Sequence, residues 1–168
     1  GENGYVVSNA FAENQVITVL NDGFGEYQYS LFPDGPWQNS NVFTNVTTGY
    51  HNIYIRDITN GEEVCDAVVI SDVSTIDYPR FFTPNNDGYN DYWNIVGLAN
   101  FPSARIYIFD KYGKLLKQLS PESDTRDGEG WDGTFNGSPL PSDDYWFTVT
   151  FPDGNTVREF KSHFAMKR

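Results

Sequence analysis

Apolar and polar residues alternate with a period of two through much of residues 1–77, a pattern typical of half-buried β-strands. The alternating segments predict strands at 14–20, 26–31, 42–43, 50–58 and 64–70. Turn-forming residues separate these strands at 21–23, 33–36 and 60–61, and the Asn-Gly step of the last turn is a strong hairpin signal. We therefore expect an immunoglobulin-like β-sandwich in this half.

The alternation returns in the second half of the chain. It predicts strands at 92–97, 105–110, 114–119, 144–151 and 157–166. Residues 71–78 are polar and contain no glycine, which predicts a short connector. No apolar repeat of helical period is sustained, so we expect no long helix. The sequence thus predicts an all-β protein of two tandem immunoglobulin-like β-sandwich domains, 1–77 and 78–168.

The segment 81–93 has two aromatic residues at each end and a polar centre. Pro84 forces Thr83 into an extended backbone. The Asn, Asp and Gly residues of 85–88 favour a turn, because they bond to their own backbone or tolerate positive φ. We expect a tight turn that the flanking aromatic side chains tie to a core.

Residues 82–91, Phe-Thr-Pro-Asn-x-Asp-Gly-x-Asn-Asp, resemble the opening motif of the gliding-motility-associated C-terminal domain, the type B sorting domain of the Bacteroidetes type IX secretion system. Further motifs similar to that family follow in the same order: Phe101-Pro102, Ile106–Asp110, Lys111–Gly113, Trp131–Gly133, Asn136-Gly137, Leu140-Pro141, Tyr145 and Lys161–Arg168. The chain departs from the family at Asn86 and Ser162, which replace glycines, and at 142–144, which replaces a Gly-Thr-like turn.

This resemblance implies that residues 78–168 direct a large exported protein through the type IX outer-membrane translocon to the cell surface. It also implies a small outer-membrane barrel protein as a partner. Residues 14–70 resemble the immunoglobulin-like repeats in the stalks of flavobacterial surface adhesins, which implies a spacer repeat of a gliding or adhesin protein. The first residues have no signal-peptide pattern, so we expect an exported chain to be part of a longer precursor.

The composition of the chain limits the partners and the covalent cross-links that it can have. Hydrophobic residues make up 39% of the chain and aromatic residues 17%, enough for β-rich cores. The net charge of −12 argues against nucleic-acid or anionic-membrane partners, which need basic patches. Cys65 is the only cysteine, so no disulfide can form within the chain. No apolar run is long enough to insert into a membrane.

The sequence offers no catalytic constellation. His51 and His163 are the only histidines and lie in different predicted domains. Motifs of serine hydrolases, zinc proteases and phosphate-binding loops do not occur. The adjacent Asp143 and Asp144 would point to opposite faces of a strand. We expect a protein that is not an enzyme and that needs no cofactor, with calcium as the one candidate ion.

Asn85, Asp87, Asn90 and Asp91 offer hard oxygen ligands of the kind that Ca²⁺ prefers. The alternative is an Asx-turn network, in which the same oxygens accept hydrogen bonds from the backbone. A second candidate metal site is the acidic segment formed by Glu122, Asp124, Asp127, Glu129 and Asp132. Both interpretations of the turn stay open at the level of sequence.

Recognition by a partner has two candidate locations. One is the turn, with Thr83, Pro84, Asp87 and Gly88. The other is a basic tip on the last predicted strand, formed by Lys161, His163, Lys167 and Arg168. Such charges also discourage aggregation at a strand edge, so a structural role is an alternative. A further hypothesis is a carbohydrate-binding module in which tryptophans stack on sugars, with these residues as candidates: Trp37, Trp93, Trp131 and Trp146.

Overall fold

The computed structural model describes residues 4–21, 23–59, 61–63, 66–121 and 130–168. All regular secondary structure within these residues is β-strand, which confirms the predicted fold class. The chain divides into two compact units, Gly1–Ile76 and Asp77–Arg168. The described residues form no helix with the length and apolar character that a membrane crossing requires.

The described residues of the first unit form seven strands. These are β1 (Tyr5–Ser8), β2 (Gln15–Val19), β3 (Tyr27–Ser30), β4 (Val42–Val46), β5 (Gly49–Thr59), β6 (Glu62–Glu63) and β7 (Val68–Thr75). One sheet has the order β1-β2-β4, and in the other β5 pairs with β3, β6 and β7. Alternate residues of β2 are buried, as the period of two predicts. The core consists of Ile17, Val19, Tyr29, Phe43, Val46, Ile53 and Val73.

The predicted connector at 71–78 is wrong for most of its length, because β7 extends to Thr75 and pairs with β5. Val73 is fully buried in this strand. The next residue after the strand, Ile76, is also fixed, since the Gln15 side chain bonds to both its N–H and its C=O, at 2.9 and 2.8 Å. Ser74 and Thr75 are buried beside Val73 although they are polar, so composition alone predicted a connector here.

In the second unit, the parts of the chain that the structure describes also form seven strands. These are β8 (Phe81–Phe82), β9 (Arg105–Phe109), β10 (Leu115–Leu119), β11 (Thr134–Phe135), β12 (Ser138–Pro139), β13 (Asp143–Asp153) and β14 (Thr156–Met166). The main sheet has the order β10-β9-β13-β14-β8, and β11 and β12 form a separate short hairpin. β8 runs parallel to β14, whereas the other pairs of the sheet are antiparallel.

The predicted strand at 92–97 does not form. The segment is instead fixed by two isolated bridges, one between Trp93 and Trp131 and the other between Asp77 and Val96. Both Trp93 and Trp131 are buried, and the Trp93 ring stacks on Phe164 with 4.0 Å between centroids. Of the aromatic residues expected to tie the turn at 83–91 to the core, Phe82 in β8 and Trp93 in irregular backbone are buried, whereas Phe81 is exposed.

Candidate recognition site

The register of the main sheet brings several turns to one end of the second unit. Phe109, at the end of β9, lies opposite Trp146 near the start of β13, and Trp146 lies opposite His163 near the end of β14. β8 ends beside Met166. The C-terminal ends of β8, β9 and β14 therefore lie at the same end of the sheet as the N-terminal end of β13. We call this end, with its turns 83–91, 110–114, 131–134 and 139–142 and with Arg168, the motif end.

Asp91 organises the first of these turns. Its Oδ1 accepts hydrogen bonds from the N–H groups of Asn85 and Asn86, at 3.0 and 2.7 Å. Its Oδ2 accepts a hydrogen bond from the N–H of Gly88 at 2.8 Å. The turn is closed where the Thr83 N–H donates to the Asn90 carbonyl at 2.7 Å. One carboxylate thus fixes three backbone positions.

A second set of hydrogen bonds lies inside the same turn. Asp87 Oδ2 accepts from Asn85 Nδ2 at 2.8 Å, and Asn85 Oδ1 accepts from the Asp87 N–H at 3.1 Å. Asn86 and Asn90 have positive φ values of 61° and 51°, which asparagine tolerates better than most residues. This is the geometry of the Asx-turn alternative.

The hydrogen bonds also set the electrostatics of Asp91. Partial desolvation raises the pKa of its carboxyl group, but hydrogen bonds from the backbone N–H groups of Gly88, Asn86, Asn85 and Asp87 together outweigh that effect. The resulting pKa lies below the ordinary value for aspartate, because these donors stabilise the charged form. Asp91 is therefore ionised at neutral pH and acts as a fixed acceptor.

Arg168 joins three segments of the motif end. Its Nε donates to the carbonyl of Leu140 at 3.0 Å, its Nη1 to that of Pro84 at 3.1 Å and its Nη2 to that of Gly133 at 3.1 Å. Its backbone N–H donates to Ser142 Oγ at 2.8 Å. The planar guanidinium fork suits such divergent acceptors, which a lysine could not satisfy together.

Gly133 lies in the middle of this arrangement with a φ of +77°. A Cβ atom at this position would overlap Met166 Sδ and would lie 3.1 Å from Arg168 Nη2. Pro84 Cγ would also be close, at 3.3 Å. Glycine is therefore required both for the backbone conformation and for the close approach of β14.

The segments that meet here are separated by up to about 80 residues of sequence, and the domain that contains them matches a known family. The model of the CHU_C type IX secretion signal domain matches residues 76–165, more than half of the chain. The chain belongs to this family. The match confirms the resemblance to a type IX sorting domain, and it marks the protein as exported. No curated protein matches the chain.

Within this secretion signal domain, the predicted recognition residues of the turn differ in exposure. Pro84 is buried and Thr83 is half-buried, whereas Asp87 and Gly88 are exposed. Pro84 and Thr83 therefore support the turn from below. Asp87 and Gly88 lie on its outer surface, where a partner can reach them.

The residues of the predicted basic tip have separate surroundings. Arg168 donates to backbone carbonyls, so its guanidinium is committed to the fold. Lys161 forms an exposed ion pair with Glu159 at 3.1 Å. Lys167 Nζ lies 5.4 Å from the centroid of the Phe81 ring. The His163 ring lies beside that of Trp146 on the outer face of the sheet, with 5.9 Å between their centroids.

The contacts of the described residues bear on both metal hypotheses without testing either. The described oxygens of Asn85, Asp87 and Asp91 accept hydrogen bonds from N–H groups, so Ca²⁺ at the turn would have to compete with those donors. Calcium at the turn stays an untested hypothesis. The described residues contain no group of three or more His, Cys, Asp or Glu side chains placed to hold a metal ion. Of the second candidate, residues 122–129 lie outside the described residues, and Asp132 accepts from Thr134.

The tryptophan platform is wrong for two of its four members. Trp93 and Trp131 are 0% and 1% exposed, so neither ring can stack on a sugar. Trp37 has the Arg56 guanidinium over its ring at 4.1 Å. Trp146 is 41% exposed. Tryptophan count alone could not separate core residues from surface residues in an aromatic-rich sandwich.

Sequence reasoning also missed contacts and surface residues at the motif end. The Lys111 amine pairs with the Asp143 carboxylate at 3.0 Å and joins the turn 110–114 to β13. Their hydrogen bond raises the pKa of Lys111 and lowers the pKa of Asp143. Two tyrosines, Tyr89 and Tyr112, are 76% and 85% exposed. Their position inside the family motifs 82–91 and 111–113 is the signal that could have drawn attention to them.

Proposed function

We propose that the chain is the C-terminal region of a large cell-surface protein of the gliding or adhesin type. Its second unit would be the address that takes the protein through the type IX system and holds it at the outer surface. The family match supports the export signal. The observation that supports recognition of a folded signal is the motif end, where distant family motifs converge on Arg168 and Gly133.

Recognition in this proposal depends on the folded unit. The motif end exists only when β8, β13 and β14 are paired, since Arg168 then reaches Pro84, Gly133 and Leu140. A partner that binds this end would therefore distinguish folded cargo from unfolded chain. The partners in this proposal are the outer-membrane translocon and the small outer-membrane barrel protein associated with it.

The first unit would serve as a spacer repeat, and the chain would have no enzymatic role. Both of its sheets pack around one core of aliphatic and aromatic side chains. Such a sandwich can act as a rigid spacer in a stalk and needs no ligand for that role. In this proposal, the first unit holds the signal domain at the end of the passenger.

The test is a fusion of residues 1–168 behind a signal peptide and a reporter, expressed in a bacterium that has a type IX system. We expect the reporter at the cell surface or in the medium in the parent strain, and in the periplasm of a strain that lacks the translocon. Protease accessibility on intact cells measures the surface fraction. Retention of the reporter in the periplasm of both strains would refute the proposal.

A further inference from the structure

The most exposed large side chain of the turn 83–91 is that of Tyr89. The ring is 76% exposed, whereas the side chains of Asn85, Asp87 and Asp91 accept hydrogen bonds from backbone N–H groups within the turn. A fully polar turn would be more soluble in water. The ring of Tyr89 is therefore exposed to solvent on a turn whose Asn and Asp side chains form hydrogen bonds within the turn.

The backbone under this ring is fixed on both sides. The Tyr89 N–H donates to Asp87 Oδ1 at 2.8 Å, and Thr83 Oγ1 donates to the Tyr89 carbonyl at 3.4 Å. The neighbouring residue is fixed as well, because the Asn90 carbonyl accepts from the Thr83 N–H. A partner that binds the ring would have to order only two side-chain torsions, with little backbone entropy left to lose.

Residues of this kind dominate the binding energy of protein interfaces. Tyrosine is enriched among interface hot spots, and rigid presentation lowers the entropic cost of binding. The turns of the motif end carry charges of both signs, since Asp87 and Asp132 are acidic and Lys111 and Arg168 are basic. Electrostatic attraction alone therefore gives no strong anchor, and an inserted ring would.

We propose that Tyr89 is the anchor residue of the motif end, and that its ring enters an apolar pocket on a protein component of the type IX machinery. Because Asp87 is exposed beside the ring, we expect a basic residue at the rim of that pocket. This inference rests on the proposed function, since it needs the motif end to be the surface that the machinery recognises.

Tyr112 provides a matched control in the same unit. It is 85% exposed and also lies in a turn, where its N–H donates to Asp110 Oδ1 at 2.9 Å. Its ring differs in having the Lys111 amine 5.6 Å from the centroid, an amine that is paired with Asp143. A pocket that accepts the Tyr112 ring would have to accommodate this ion pair too.

The experiment compares export of the full-chain reporter fusion for the wild type and for Tyr89→Ala, Tyr89→Phe and Tyr112→Ala. We expect Tyr89→Ala to lower the exported fraction about tenfold, as loss of a hot-spot residue does. Tyr89→Phe keeps the ring and should export within about twofold of the wild type, and so should Tyr112→Ala. The Tm values of the purified chains should agree within about 1 °C, because the substituted side chains are exposed.

The outcomes separate this inference from the proposed function. If the wild-type fusion stays in the periplasm, the proposed function itself fails. If the wild type is exported and Tyr89→Ala is exported equally well, only the anchor is refuted. Equal losses for Tyr89→Ala and Tyr112→Ala, a loss for Tyr89→Phe as large as for Tyr89→Ala, or a fall in Tm that accounts for the loss would also refute the anchor.

Discussion

The turns at the two ends of the main sheet in the second unit are held in place by different contacts. At the far end, β13 and β14 are joined by a tight hairpin in which Asp153 lies opposite Thr156. The side-chain contacts of this hairpin include a hydrogen bond from Thr156 Oγ1 to the Asp153 carbonyl, a long ion pair between Asp153 and Arg158, and the Arg158 guanidinium 5.9 Å from the centroid of the Phe151 ring. The motif end has the Asp91 carboxylate, the Arg168 guanidinium and the Lys111–Asp143 ion pair.

This difference shows that the motif end is fixed more firmly than chain reversal requires. Two strands of 11 residues each are joined by the plain hairpin at the far end. At the motif end, side chains from distant segments hold turns that could have remained loosely attached. Extra hydrogen bonds that preserve the shape of exposed turns are what a surface read by a partner needs.

The largest expected effect comes from matched glycine substitutions at the two ends. Gly133→Ala should lower the free energy of unfolding by about 3 kcal/mol, from the strained φ and the overlap with Met166 together. Gly154→Ala at the far end has a similar φ of +62° but open space around the Cβ, so we expect a loss of about 1 kcal/mol.

Denaturant unfolding followed by tryptophan fluorescence measures this difference, since three of the four tryptophans, Trp93, Trp131 and Trp146, lie in the second unit. Equal losses for the two glycine variants would contradict the comparison. They would show that the backbone conformation alone, and not the packing of the motif end, determines the cost.

Substitution of Arg168 should have the next largest effect. Arg168→Ala removes the donors to Pro84, Gly133 and Leu140, and we expect a loss of about 1–2 kcal/mol because the guanidinium is partly solvated. Arg168→Lys should recover less than half of it, since one ammonium cannot reach three diverging carbonyls. Arg158→Ala, which breaks the exposed pair at the far end, is the control and should have little effect.

Export gives a second measurement for Arg168. If the fork orders the turns, Arg168→Lys should reduce export of the reporter fusion more than Arg158→Lys does. Full export by Arg168→Ala, in a chain that remains folded, would show that the fork contributes to stability alone.

A smaller, pH-dependent effect is expected from Asp91. Its pKa is lower in the folded chain than in the unfolded chain, so its charge stabilises the fold above the ordinary aspartate pKa near ~4. That contribution is lost as the pH falls through the lower, folded-state value. Asp91→Asn should therefore lower the Tm by several degrees at pH 7, and its difference from the wild type should shrink below about pH 4.

The control for this prediction is Asp153→Asn at the far end. Because Asp153 makes only a long, exposed ion pair, its substitution should change the Tm by no more than about 1 °C between pH 3 and 7. A constant difference between the wild type and Asp91→Asn across this range would contradict the assignment of the ionised carboxylate as the acceptor in the turn.

The sequence predicted those elements that depend on residues close to one another in the chain, and it failed for those that depend on contacts between distant residues. The alternation in β2, β9 and β13 depends on a period of two within one strand, so those strands were predicted closely. The strand predicted at 92–97 failed because Trp93 is buried by a single bridge to Trp131, about 40 residues away in sequence. Local alternation does not distinguish such a bridge from a strand.

The same reasoning applies to the site. The turn at 83–91 was predictable, because Asn85, Asp87 and Asp91 bond to backbone within a few residues. The role of Arg168 was not, because its acceptors at Pro84 and Gly133 become neighbours only after β8 and β14 pair. A charge near the end of a strand was therefore interpreted as a surface tip, although the folded chain uses it internally.

The smallest expected effect is that of calcium on the chelator-treated chain. In 10 mM Ca²⁺, a site with a Kd of about 0.1 mM would stabilise the fold by about 2.7 kcal/mol, which corresponds to a Tm rise of roughly 10 °C or more for a domain of this size. The oxygens of Asp91 and Asp87 already accept N–H donors, so we expect less than about 1 °C and no binding heat. A large rise that Asp91→Asn abolishes would instead establish calcium as the ion that orders the turn. A rise that survives Asp91→Asn would place the ion elsewhere, with the acidic segment 122–132 as the first location to test.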